Sequence, residues 1–316
     1  MTKEKHIVKG ILCMLFAVTV WGGWVVVSRV GVKGHLTPYD IAAIRFTVAG
    51  LLLSPVALRV RFRVGPWGII GGVILMMLMG APYNLMTISA FQYVPASHCS
   101  IIYAFTTSIT CILSYFLLKE QFSRAKLAGI LLGVLGIVAF LMAAKGQVDG
   151  ARVWFGHLLL MIAGSTWGVY AVLSKKWRAA PLENTSVMAA LSMILYLPIF
   201  YFFLPSHLHE APMGEIVWQG FYQGILTNIL ALLAYNKGVE LLGASGSAAF
   251  IPLVPVMATL AAVPFLHEVP TLLEVMGILL AAAGVMLATG TFDRLIPKQI
   301  LGLRRKAKPP TNITPV

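Results

Sequence analysis

Arg45 stands inside the run IAAIRFTVAGLLL, a guanidinium amid apolar side chains. Such a group can take a carboxylate through two parallel hydrogen bonds, a geometry that lysine cannot offer. It can also snorkel to an outer surface or pair with Asp40, five residues earlier, and the sequence leaves all three open. Aromatic residues accompany it. Trp21, Trp24 and Ser28 share one helical face at i, i+3 and i+7, and Trp167, Tyr170 and Ser174 repeat the spacing. Trp21 and Trp167 fall in mid-run, away from the interfacial belts where Trp anchors a membrane helix. They either pack within a bundle or against lipid, or wall a central cavity. Tyr83, Asn84, His98, Tyr103, Asn228 and Tyr235 also lie at membrane depth, His98 near the outer end of its run. Each alone reads as an interhelical hydrogen bond; together they suit a cavity of mixed aromatic and neutral polar character that binds a small molecule.

Residues at depth require elements that make depth. The chain has 316 residues, 59% of them hydrophobic and 11% charged. Its mean hydropathy is +0.85, more apolar than a soluble core of this size can hide. A membrane-crossing helix needs roughly 20 mostly apolar residues for about 30 Å of hydrocarbon. Ten stretches qualify, at about 8–31, 38–58, 66–92, 96–118, 125–144, 154–174, 184–204, 214–236, 245–266 and 272–291. The expected fold is therefore all-α and transmembrane. The runs lack the alternation of barrel strands. The first run is too long and too aromatic for a cleaved signal.

Charge sets the orientation. With the N-terminus inside the cell, nineteen Lys and Arg fall on inside segments and four outside (Arg29, Lys33, Lys145, Arg152), with Arg45 within a span. The positive-inside rule then places both termini in the cytoplasm. The net charge of +13 thus reads as a topology signal with attraction to anionic membrane lipids, not as a nucleic-acid surface. The three cysteines have no ligand-like spacing, so neither a disulfide nor a metal site is expected, and no cofactor is implied.

Two phrases almost half a chain apart, TVWGGWVVVSRV at 19–30 and STWGVYAVLSKK at 165–176, read alike. The likeness continues from YVPAS to LLGAS, from LLKEQ (117–121) to FLHEV (265–269), and from AGILLGVLG (128–136) to MGILLAAAG (276–284). Two five-helix halves account for this, residues 1–148 and 149–292, followed by a basic tail at 293–316. Five is odd, so the second half must cross the membrane inverted. An inverted repeat is the architecture of secondary transporters. The glycines at 129, 133, 136, 277 and 284 form small-residue stripes for close helix packing, within one subunit or between two; a monomer is favoured.

The WG pairs, IRFTVAGLLL, Glu120 and Glu268 at matching places, and the paired GILL helices resemble the ten-helix, EamA-like branch of the drug/metabolite transporter superfamily. That resemblance implies a bacterial inner-membrane exporter of amino acids or related metabolites. A lipid-linked substrate flippase or a proton-coupled antiporter of the same superfamily is the alternative. Catalysis finds no support: HEVP (267–270) is not a His-Glu-x-x-His site, and no nucleophile elbow or phosphate loop occurs. All eleven acidic residues lie in loops or near helix ends. A carrier of cations that exchanges them for protons would need a buried carboxylate. Neutral or zwitterionic substrates moving down their own gradient are therefore expected, with His98 a weak candidate for proton transfer.

Overall fold

The computed structural model describes residues 3–119, 124–144, 150–178, 180–248 and 250–288, so Glu120 and the tail at 293–316 lie outside the described residues. In chain order the α-helices are α1 (Lys3–Lys33), α2 (Pro38–Arg59), α3 (Ile69–Met79), α4 (Ala81–Ala90), α5 (Ser100–Leu118) and α6 (Arg124–Ala144). There follow α7 (Gly150–Lys176), α8 (Pro181–Phe203), α9 (Met213–Gln219), α10 (Ala231–Ala248), α11 (Leu253–Leu266) and α12 (Leu272–Ala288). Among the described residues seven helical stretches are long and apolar enough to cross a membrane, and two shorter apolar helices accompany them. Phe202, Phe265 and Leu279 are more than half exposed on the outside of the bundle, as a lipid-facing surface requires.

Three expected boundaries move. The third stretch is not one helix: it breaks at Gly80, where Pro82 brings no N–H to the ladder. The freed groups find side chains, since Ala81 N donates to Ser192 Oγ at 3.1 Å and Asn84 Nδ2 donates to Gly80 O at 3.0 Å. The eighth stretch runs on from α9 through a π-helix, Gly220–Leu230, into α10 with no non-helical residue between them. The ninth begins later than 245, because α10 continues to Ala248 and α11 starts at Leu253.

Glycines set the closest crossings. A Cβ on Gly22 would meet Met257 and the backbone of Ala258, so α1 lies directly on α11. A Cβ on Gly168 would meet Ile109 and the carbonyl of Thr106, so α7 lies in the same way on α5. The small-residue stripes are used within the chain. Gly129 faces Gly284 and Ala288 while Gly136 faces Gly277 and Ala281, so α6 and α12 run antiparallel in close contact. α5 and α11 end alike, at Lys119 and His267, each left-handed with φ of 57° and 55°.

Candidate functional site

A cavity of about 340 Å³ lies among α1, α2, α4, α5, α7, α8 and α10. That volume is at the lower end of small-molecule sites. Ten of the eleven expected side chains line it: Trp21, Trp24, Arg45, Tyr83, Asn84, Tyr103, Trp167, Tyr170, Asn228 and Tyr235. His98 does not. It is fully buried elsewhere, against His157 and Glu274.

The aromatics form two walls. Trp21 packs on Tyr235 with ring centroids 5.3 Å apart. Trp167 meets the edges of both Tyr83 and Tyr103, at 5.9 and 5.5 Å. Because α1 and α7 each carry their aromatic pair one helical turn apart, each turns one face inward.

Arg45 is 8% exposed and neither snorkels nor pairs with Asp40. Asp40 instead closes a capping box with Thr37 at the start of α2 and accepts from Ser206 Oγ at 2.7 Å and His207 N at 3.1 Å. Five residues is too long a step for a helical pair; i+3 and i+4 are the neighbours on a helix surface. Arg45 Nη1 donates to Gln223 Oε1 and Nη2 to Asn228 Oδ1, each at 2.9 Å. Two acceptors five residues apart would diverge on an α-helix. The π-helix, with its i→i+5 bonding, brings Gln223 and Asn228 to the same guanidinium. Gln223 is fixed in turn, donating to Ser28 Oγ at 3.0 Å and Gln219 Oε1 at 3.2 Å.

This fork is neutral. Its amide oxygens hold the guanidinium in place without cancelling its charge. Two buried polar atoms among these residues lack a hydrogen-bond partner: Arg45 Nε, a donor, and Asn84 Oδ1, an acceptor. Unpaired buried groups cost free energy unless a ligand or water completes them.

Gln223 was legible only as a polar residue in the eighth stretch, and His157 and Glu274 were not singled out. Glu274 corrects the reading of the acidic residues. It lies in the first turn of α12, near a helix end as expected, yet is 4% exposed because other helices cover that end. Depth along a helix and burial in a bundle are different quantities.

The cavity reaches the surface at Pro181, which is exposed and follows the basic run of Lys175, Lys176 and Arg178. Its other end is shut. Phe91 packs behind Trp24 at 6.2 Å, Arg29 donates to the Phe91 carbonyl, and Arg29 and Lys33 both bind Glu268, Lys33 at 2.8 Å. Glu268 lies just beyond α11. Burial tends to raise its pKa, but Lys33, Arg29 and the Ala96 N–H more than offset this, holding the carboxyl below its ordinary range.

Residues 8–142 and 154–290 each match the EamA-like transporter family. The chain is 27% identical to the "Probable terminal-alkyne amino-acid exporter" of Streptantibioticus cattleyicolor, over 96% of this chain and 98% of that one. It is also 27% identical to the "Probable amino-acid metabolite efflux pump" of Salmonella typhimurium, over 86% and 91%. With "Uncharacterized transporter YoaV" of Bacillus subtilis it shares 22% identity over 91% and 99%. One solved crystal structure, 21% identical, shares the fold with a TM-score of 0.59 over 93% of this chain and 99% of that one.

Proposed function

This chain belongs to the EamA-like transporter family, and from that membership and the chemistry of the cavity we propose that it exports amino acids or closely related zwitterionic metabolites. The observation that carries this reading is an arginine that lines the cavity and is held by two neutral amides. Arg45, positively charged and braced by neutral amides, would orient a substrate carboxylate, and Asn84 Oδ1 would accept from an ammonium group. The walls of Trp21 with Tyr235 and of Trp167 with Tyr83 and Tyr103 would take the side chain. Relatives that carry amino-acid exporter and efflux-pump names support the same class.

The proposed machine has ten spans in two inverted five-helix halves, 1–148 and 149–292, in the bacterial inner membrane with both termini cytoplasmic. Supporting it are the matching crossings of Gly22 and Gly168, the matching left-handed ends at Lys119 and His267, and the antiparallel α6 and α12. Each aromatic wall would join residues of both halves, Trp21 with Tyr235 and Trp167 with Tyr83 and Tyr103, so rocking of the halves would part the walls and expose the cavity to either side. In this form the cavity would face the cytoplasm, since it opens beside the basic residues before α8.

Efflux from proteoliposomes loaded with amino acids, their amides and the corresponding decarboxylated amines tests the proposal. Saturable flux of the amino acids, with amides and amines much slower, is the expected result. Flux of no carboxylate above protein-free vesicles, or equal flux of all three, overturns it.

A further inference from the structure

A second polar cluster lies outside the cavity, at the closed end. His98 Nε2 is 2.8 Å from Glu274 Oε1, and His98 Nδ1 is 2.8 Å from His157 Nε2. The rings are nearly parallel, at 21°, with centroids 4.9 Å apart, so their nitrogens point at each other and not at a common metal position. Both imidazoles are fully buried and Glu274 is 4% exposed. Ser97 Oγ donates to Glu274 Oε1 at 3.1 Å, and Thr271 N and Oγ donate to Oε2 at 2.7 and 2.9 Å. The far nitrogen of the chain, His157 Nδ1, is buried and has no partner.

We propose that His98, His157 and Glu274 form a binding site for one proton that is complete only while this end of the bundle is closed. The heavy-atom chain admits two protonation states. Without the extra proton, His157 Nε2–H donates to His98 Nδ1, His98 Nε2–H donates to the carboxylate, and His157 Nδ1 is a bare lone pair. The cluster then carries one buried negative charge. A proton taken up at His157 Nδ1 allows the Nε2 proton of His157 to pass to His98 Nδ1. His98 becomes an imidazolium against the Glu274 carboxylate, and the net charge is zero. One proton enters and none leaves, and burial favours the neutral sum.

The link to closure is topological. His98 comes from the turn before α5, whereas His157 is on α7 and Glu274 on α12. The same turn grips a second carboxylate, since Ala96 N donates to Glu268 Oε2 at 3.1 Å. Residues 96, 97 and 98 therefore hold Glu268 and Glu274 together. Opening this end parts the turn from both and wets the site, so proton affinity and closure must be coupled.

Other titratable groups lie on the elements packed against the site. They are Arg29 and Lys33 on α1, Tyr93 after α4, Cys99 beside His98, Arg152 on α7, and His267 and Glu268 between α11 and α12. Arg29 and Lys33 are engaged by Glu268.

The test uses the full chain in lipid nanodiscs, with histidine ring nitrogens followed by NMR from about pH 5 to about pH 9. His98→Gln and His157→Gln assign the signals. The expected result is one shared midpoint for both rings, moved at least one unit lower by Glu274→Gln, a tenfold loss of proton affinity, and restored by Glu274→Asp. Independent midpoints, no titration, or a midpoint unmoved by Glu274→Gln overturns the proposal. Should Glu274→Gln fail to fold, His157→Gln serves: loss of the shared midpoint at His98 supports the site, and an unchanged one overturns it. Closure is read from Cys99, a fully buried free thiol next to His98. Its labelling by a water-soluble maleimide, relative to the Glu274→Gln protein at each pH, should be severalfold slower in acid and converge in alkali. A flat ratio overturns the link. None of these measurements depends on what the cavity carries.

Discussion

Trp24 and Arg45 converge on a single atom: the indole N–H and one guanidinium nitrogen both donate to Gln223 Oε1, at 2.7 and 2.9 Å. The guanidinium carbon lies 5.5 Å from the centroid of the Trp24 ring. The arginine is thereby held by a cation–π contact and a fork that no acidic residue supplies. Charge and position are fixed separately, which is the condition for an arginine that attracts an anion instead of neutralising a neighbour.

Arg45→Lys keeps the charge and loses the fork, leaving Asn228 Oδ1 without its donor. Transport of amino acids should fall by about tenfold or more relative to transport of their amides, a difference of about 1.4 kcal/mol in binding. Competition assays in proteoliposomes measure both. Equal impairment of acids and amides would make Arg45 a structural residue.

The two tryptophans should differ in what their removal does to stability. Trp21 has one described ring contact, with Tyr235, whereas Trp167 holds both Tyr83 and Tyr103. Edge contacts of this kind are worth about 0.5–1.5 kcal/mol each beyond area burial. Trp21→Ala should reduce flux with little loss of thermal stability, and Trp167→Ala should reduce both. Melting of the purified proteins in detergent separates the two effects, and equal stability losses would contradict the assignment of the contacts.

Much of this was legible because the repeat doubles the signal. WG at 21–22 and at 167–168 sets an aromatic beside a glycine, twice, and both glycines sit at helix crossings. Arg45 was conspicuous by its surroundings, but its partners were not. Sequence proximity suggested Asp40, whereas the acceptors come from a π-helix, and no periodicity assuming 3.6 residues per turn aligns Gln223 with Asn228. Glu274 was misread for a related reason. Its position near a helix end implies access to water, which the turn at 96–99 and the neighbouring helices remove by packing against it.

The paired glycines give a third prediction. At Gly22 an added Cβ would stand 2.9 Å from the Ala258 nitrogen, and at Gly168 it would stand 3.0 Å from the Thr106 oxygen, both backbone atoms that cannot swing aside. Gly22→Ala and Gly168→Ala should each cost about 1–3 kcal/mol through overpacking. Gly214→Ala, with nothing near the added Cβ, is the control and should melt like the wild type. If all three variants melt alike, α1 and α7 are not held at these crossings.

Glu268 supplies the final prediction, on acid stability. Burial raises its pKa, but Lys33, Arg29 and the Ala96 N–H together outweigh burial, so the folded value lies below the ordinary one. A carboxyl with a depressed folded pKa contributes stability that is fully present above the unfolded value of about 4.3 and is lost as pH falls through the folded value. Wild-type protein should therefore lose thermal stability on acidification below about pH 5 through this group, as the bridge from α1 to the α11–α12 connection is protonated. Glu268→Gln should be less stable than wild type at neutral pH, where it leaves Arg29 buried without its charged partner. Its melting temperature should depend less on pH, so that the two curves approach each other in acid. Parallel curves across the range would show that the ion pair contributes nothing to holding that end of the bundle closed.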